Sequence, residues 1–516
     1  MSFVSLKFIG FVLATFILYY LFPKKIRWIV LLVSSYIFYF LSSKSLIVFL
    51  LLSTLSIYFG TLLINKINDK EINKDLDKEE KKTIKFKRKK LKKLVLLLVI
   101  LINLGILAVL KYNNFFGGIV NSIFNTNIAV KYFILPLGIS YYSLQALGYI
   151  IDVYNNKYKP SKNIFKVALF LSFFPQMVEG PIGRFNTLAD QLYEGHKFDY
   201  DRTISALVLI GWGFFKKLVI ADRAGLYVDN VFNGDYSGYI ILFAIILYTI
   251  QIYTEFSGCM DIVCGLGELF GVKLDKNFRQ PFFAKSINEF WRRWHITLGT
   301  WLRDYIFYPI SLSKTNLKLS KWARSLKWKH IGQFIIVAFP LFFVWFCNGL
   351  WHGPSLKYII YGLYYYVLMM LGVLFSPILK KIIEILKIKT DVFSYKLFQI
   401  LRTSLIVMVG LTIFRAETLQ KAFYYLGSIF SFEKCQGISK MSLGLEPLDI
   451  LVLLCSCVIL FIISFMKEKN IDIREYIKNE NLLFRWFIYF FIIFSIIIFG
   501  IYGPGYDASS FIYALF

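Results

Sequence analysis

Residues 67–93 read INDKEINKDLDKEEKKTIKFKRKKLKK, and residues 94–110 continue LVLLLVILINLGILAVL. The change at Leu94 is abrupt, from a charge-dense stretch to an apolar one interrupted only by Asn103 and Gly105. A transmembrane helix needs about 20 predominantly apolar residues, so Leu94–Leu110 reads as the body of a span. Working outward, similar runs precede it at Leu13–Phe22, Arg27–Leu41 and Ser45–Ile64. Others follow at Ile204–Ile220, Tyr239–Tyr253, Ile331–Cys347, Tyr358–Phe375, Leu401–Phe414, Ile450–Phe465 and Phe484–Ile501. This criterion gives roughly 11 transmembrane helices, and shorter apolar pieces between them read as re-entrant segments. The expected fold class is an all-α polytopic membrane protein. Composition agrees, with 57% of the 516 residues hydrophobic against roughly 45–50% in soluble domains.

The formal net charge is +27. A soluble protein this basic would point to nucleic acid, but Lys and Arg also collect in the cytoplasmic loops of membrane proteins and attract anionic lipid headgroups. Membrane lipids are therefore the expected partner, and nucleic acid is not. The basic loops Lys24–Arg27 and Lys66–Lys93 are separated by two spans and must share a side. Both are expected in the cytoplasm, which leaves the N-terminus outside. The first apolar run lacks a basic leader and a small-residue cleavage site, so it reads as a retained span rather than a signal peptide. The six cysteines, Cys259, Cys264, Cys347, Cys435, Cys455 and Cys457, are scattered, mostly in apolar runs. They read as small buried hydrophobes, and no metal site is expected.

No Gly/Ser or Pro linker and no internal repeat divides the chain, which reads as one membrane domain over residues 1–516. Within it lie N-terminal spans (1–65), a basic cytoplasmic loop (66–93), a catalytic core (94–375) and C-terminal spans (376–516). The basic stretch mixes Asp, Glu and Lys at helical spacing, so it reads equally as an extension of the flanking helices or as a loop. Between Val130 and Gly353, Gly, Pro and charged residues break up the apolar runs. Irregular backbone at membrane depth is tolerated where it is buried or lines a cavity, so function belongs in this region.

Four histidines narrow the search. His196 and His330 sit among polar and basic residues and read as solvated loop side chains. His352 closes the apolar run FFVWFCNGLWHGP (342–354). An ionisable group at the end of a span is a functional candidate by default. Asn348, one turn earlier, is placed to orient its ring. From position alone, a histidine satisfied by a backbone carbonyl is an equal reading. His295 lies in the densest motif, SINEFWRRWHITL (286–298), preceded by NFRQPF (277–282) and followed by WLRDYI (301–306). Ser286 and Glu289 have capping-box spacing, and an uninterrupted amphipathic helix would put Trp291, Trp294 and His295 on one face with Leu298. There is no GxxxxGK[ST], HExxH or GxSxG pattern. The residues permit a general-base histidine accepting a proton from a hydroxyl, for which an acyl thioester would supply its own leaving group.

At these residues the sequence resembles the membrane-bound O-acyltransferase family, in its bacterial alginate O-acetyltransferase-like branch. The strongest segments are Asn277–Pro309 and Trp351-His352-Gly353. Support comes from LPLGISYY (135–142), YIIDVY (149–154), EGPI (179–182), Glu255–Asp261 and the aromatic ending FIYALF (511–516). Glu255 stands where Asp is common, and Cys259-Met260 where Tyr-Ser is expected. The resemblance implies a helical core around a central funnel or tunnel. It also implies two facing histidine segments, with His352 the principal catalytic residue and His295 the second. Asn348, Trp351, Trp294, Arg303 and Asp304 are the accompanying substrate-binding candidates. It further implies acetyl transfer from a cytoplasmic-side thioester to hydroxyls of an extracytoplasmic polysaccharide, in a bacterial plasma membrane. Acetyl-CoA or another acyl thioester would be a donor substrate, with no tightly bound cofactor. An extracytoplasmic SGNH/hydrolase-like acetyltransferase and a polysaccharide synthesis complex are the implied partners. Two alternatives remain: a D-alanyl transferase of teichoic acid modification, and a non-catalytic transporter or flippase of a surface-polymer pathway.

Overall fold

The computed structural model describes residues 3–70, 75–127, 133–431 and 443–502. Cys435 and the aromatic ending at 511–516 lie outside the described residues. Among the described residues the secondary structure is helical, apart from one isolated antiparallel bridge between Phe278 and Trp294. Nine helical stretches there are long and apolar enough to cross a membrane, and Leu6–Leu21 is a shorter apolar helix. Every apolar run read from the sequence falls in one of these ten stretches, except that the first overruns its helix at Phe22 and the last at Gly500 and Ile501. Lys24–Asp69 carries two of the runs, divided at Lys44, whose φ of 46° no helix accommodates. The protein is an all-α polytopic membrane protein.

The basic stretch at 66–93 is largely helical rather than a loop. One helix runs on to Asp69, and the next begins at Lys78 behind a capping box formed by Asp77 and Glu80. That second helix, Lys78–Phe124, has 47 residues and is about 70 Å long at 1.5 Å per residue. This is more than twice the roughly 30 Å hydrocarbon core, so its lysine-rich end stands clear of the bilayer as helix. Asn103, buried at mid-span, donates to Val99 O at 2.9 Å and Ser56 Oγ at 3.0 Å, which satisfies its NH2 group, while its Oδ1 has no partner among the described residues.

The chain forms two compact units, one comprising Met1–Ala206 with Val263–Asp275, the other Leu207–Ile262 with Lys276–Leu515. In the first, the short helices Ile164–Ser172 and Phe174–Met177 lead into Val178–Gly183, and the stretch from Val167 to Gly183 is buried. Non-helical backbone at membrane depth requires such enclosure by protein. His196 in this unit is half-buried, with Nε2 2.8 Å from Gln191 O. Arg27 bonds the His196 carbonyl. It is thus a packed, bonded residue and not the solvated side chain expected.

In the second unit the helices Lys329–His352 and Leu356–Ile385 cross almost backbone to backbone. A Cβ on Gly349 would lie 2.4 Å from Tyr358 O, and one on Gly362 2.3 Å from Trp345 O. Small residues at both crossing points are what permit this approach. It brings Tyr358 and Tyr361 against the end of the first helix, where His352 sits. His330 is half-buried, with Nε2 3.1 Å from Leu374 O, again bonded rather than free in solvent.

Candidate active site

The helix that begins behind Ser286 does not run through His295. It ends at Arg293, Trp294 is extended, and His295 is left-handed (φ 47°, ψ 52°) before a second helix starts at Ile296. The expected common face of Trp291, Trp294, His295 and Leu298 is therefore not formed. The cause is tertiary. Residues 277–279 lie alongside the break, with Arg279 N donating to Arg293 O at 2.9 Å and Ile296 N to Asn277 O at 3.0 Å. A left-handed non-glycine residue costs of order 1–3 kcal/mol and persists only where its surroundings hold it. Those two bonds are the holders.

The break separates the aromatic side chains. Trp294 is buried against Phe278 and Phe290, with ring centroids at 5.0 and 5.5 Å. Trp291 turns instead to Trp345 at 4.9 Å and Tyr365 at 4.8 Å. His295 is 2% exposed. Phe256 meets its ring edge-on at 4.9 Å, and Trp351 at 5.3 Å. Its Nδ1 lies 3.3 Å from Asn277 Oδ1, whereas Nε2 is buried with no hydrogen-bond partner among the described residues. Burial among these rings pulls its pKa from 6.5 down to about 3, so the imidazole is neutral at physiological pH.

His352 is the last residue of its helix and is also 2% exposed. Its ring meets Trp351 at 5.1 Å, Phe414 at 5.2 Å and Tyr361 at 5.7 Å. One indole, that of Trp351, thus touches both imidazoles. Asn348 is buried one turn before His352, but its Oδ1 has no partner among the described residues. Arg303 and Asp304 pair with each other at 2.9 Å, with the Arg303 side chain 55% exposed, in a π-helical turn.

Sequence reading missed two parts of the site. Asn277 was read only as part of a motif, yet it carries the contacts that hold His295. The second part is a buried charge network. Lys217 Nζ lies 2.7 Å from Asp222 and 2.8 Å from Glu255, and Lys216 Nζ 2.7 Å from Asp261 and 2.9 Å from Ser257 Oγ. Both lysines lie in a π-helical segment, Phe215–Ala221, inside a candidate span. Their anchors Glu255 and Ser257 flank Phe256, the residue against His295. The signal was available, because two adjacent lysines within an apolar run demand partners.

Fold and site define a polytopic membrane protein with two buried histidines gathered around a tryptophan. Residues 156–414 match the family described as MBOAT, the membrane-bound O-acyltransferase family. The chain is 30% identical over 393 residues to the "Probable alginate O-acetylase AlgI" of Pseudomonas syringae pv. tomato, covering 75% of this chain and 68% of that one. It is 31% identical over 300 residues to the "Peptidoglycan O-acetyltransferase" of Helicobacter pylori, covering 53% and 54%. It is 29% identical over 241 residues to the "Teichoic acid D-alanyltransferase" of Bacillus subtilis, covering 45% and 58%. The chain belongs to the membrane-bound O-acyltransferase family and is an O-acyltransferase.

Proposed function

We propose that this protein transfers an acetyl group from a cytoplasmic-side thioester, acetyl-CoA or another acyl carrier, towards hydroxyls of an extracytoplasmic polysaccharide. The observation that carries this reading is the contact of one indole, Trp351, with two buried imidazoles, His295 and His352. His352 acts as general base. It takes the proton of the acceptor hydroxyl as the oxygen attacks the thioester carbonyl. It returns that proton to the departing thiolate, so ester and thiol are the products. Such proton transfer contributes typically 10²–10⁴-fold. His295 positions donor or acceptor, and the surrounding Phe256, Tyr358, Tyr361 and Phe414 exclude the water that would hydrolyse the thioester.

The names of the relatives favour acetyl as the acyl group, since two of the three act in acetylation. The D-alanyl reading rests on a match over less of the chain. The reading places the protein in a bacterial plasma membrane with its N-terminus outside, because both basic segments then face the cytoplasm. It also assigns an extracytoplasmic SGNH/hydrolase-like partner and a polysaccharide synthesis complex. The test is the ester content of the surface polymer in cells carrying His352→Ala at normal protein level. Loss of acetyl ester supports the reading, loss of D-alanyl ester selects the alternative, and unchanged esterification of every kind overturns it. His295→Ala is expected to lower the same ester.

A further inference from the structure

We propose that Asn277 is the positioning residue of the site, fixing His295 as the tautomer protonated on Nδ1 and leaving Nε2 as the accepting nitrogen. The proposal deepens the acyltransferase reading and rests on it for its catalytic consequence.

The argument starts from a group that can only donate. The backbone N–H of Thr297 lies 3.0 Å from one atom of the Asn277 amide, and Thr297 Oγ1 lies 3.0 Å from the same atom. A backbone N–H has no lone pair to offer, so that atom is the carbonyl oxygen Oδ1. The amide nitrogen then faces Met260 Sδ at 3.2 Å, a weak acceptor. The orientation of the amide is therefore set by its neighbours and not by convention. His295 Nδ1 faces this same oxygen at 3.3 Å. An unprotonated Nδ1 would oppose lone pair to lone pair, whereas Nδ1–H donates. In a neutral imidazole the other nitrogen must then be the acceptor.

Three further observations fit this role. The Asn277 main-chain carbonyl accepts from Ile296 N at 3.0 Å, so the same residue holds the left-handed turn at His295 and the ring that the turn displays. Nε2 is buried and has no partner among the described residues, so the accepting lone pair is left for a substrate O–H or N–H. Met260, which completes the amide's shell, is one helical turn from Phe256, which packs on the same imidazole.

The test is ¹⁵N NMR of the full chain labelled at histidine in detergent, run beside steady-state kinetics with acetyl-CoA. The His295 resonances are assigned by their loss in His295→Gln. The unaltered protein is expected to show Nδ1 protonated and Nε2 not. In Asn277→Leu the proton is expected to move to Nε2, with kcat down about 10–100-fold, the size seen when groups that orient metal-ligating histidines are removed, and KM for the thioester unchanged. Asn277→Asp keeps an accepting oxygen and is expected to keep the Nδ1–H tautomer and most of kcat. It also decides the matter if the leucine variant does not fold. A His295 that remains Nδ1–H in Asn277→Leu, or that becomes Nε2–H in Asn277→Asp, overturns the proposal. Full activity in His295→Ala would instead sink the catalytic reading of His295, and the tautomer result would still stand or fall on its own.

Discussion

The indole of Trp351 meets the imidazole of His295 with ring centroids 5.3 Å apart and planes inclined by 67°. The two residues come from segments more than fifty positions apart in sequence, and Trp351 also touches His352. Truncating it should therefore act on both histidines at once. Trp351→Ala is expected to cost about 3–5 kcal/mol of stability, as for other buried Trp truncations. Its acyl-transfer rate should fall at least as far as that of His295→Ala. Trp351→Phe, which keeps an aromatic edge, should retain most of the fold and part of the rate. Thermal unfolding in detergent and single-turnover acyl transfer check the pair.

The Gly349–Gly362 crossing gives a second prediction. A methyl at Gly349 meets main-chain oxygen at 2.4 Å, which cannot rotate away. Gly349→Ala is expected to cost about 1–3 kcal/mol by overpacking and to lower activity, because the crossing seats Tyr358 and Tyr361 against His352. Gly372 lies on the same neighbouring helix with open space around it. There the same change should be neutral or stabilise by up to about 1 kcal/mol through helix propensity.

Lys217 supplies a third. Its ammonium is the shared cation of Asp222 and Glu255 and is 3% exposed. Lys217→Met leaves two carboxylates beside an apolar side chain, and removing one partner of a buried pair typically costs about 3–5 kcal/mol. Adding Glu255→Leu and Asp222→Asn should recover most of that loss, since the charges are then removed together. Removing the exposed Lys421–Glu417 pair should leave unfolding unchanged. The outcome that would sink this account is a single Lys217→Met as stable as the parent protein.

These residues mark where the sequence is legible. Among the described residues, apolar runs alone located every helical stretch long and apolar enough to cross a membrane, because a bilayer span needs length and composition and little else. The aspartate and glutamate at 77 and 80 have capping-box spacing, which would favour helix over loop for the charged stretch behind them. The helix break at Trp294–His295 was not legible. Local propensity favours a continuous helix there, and the break is imposed by residues 277–279 pairing across some sixteen positions. His352 stood out as an ionisable group at the end of a span, His295 by the dense motif around it, and their roles only through the family resemblance. Arg303 and Asp304 came with the motif, and in the structure they pair with each other. The part Asn277 plays in holding His295 is not legible, because a buried asparagine bonded to a backbone N–H has no pattern in the sequence.

Burial of His295 gives a prediction about acid. Its pKa is depressed from 6.5 to about 3 in the folded protein, so between those values the unfolded chain binds a proton that the folded chain refuses. Stability from this group is therefore complete above about pH 6.5 and is lost progressively as pH falls through the window towards 3. At one proton the slope is about 1.4 kcal/mol per pH unit, or roughly 2 kcal/mol between pH 6.5 and 5. His295→Gln has no such proton and should flatten this part of the profile. At pH 5 the variant should have lost less of its own neutral-pH stability than the parent. Thermal unfolding in detergent at several pH values checks the slope. A parent and a His295→Gln variant with parallel profiles would show that His295 protonates freely in place, and so is not enclosed by Phe256 and Trp351.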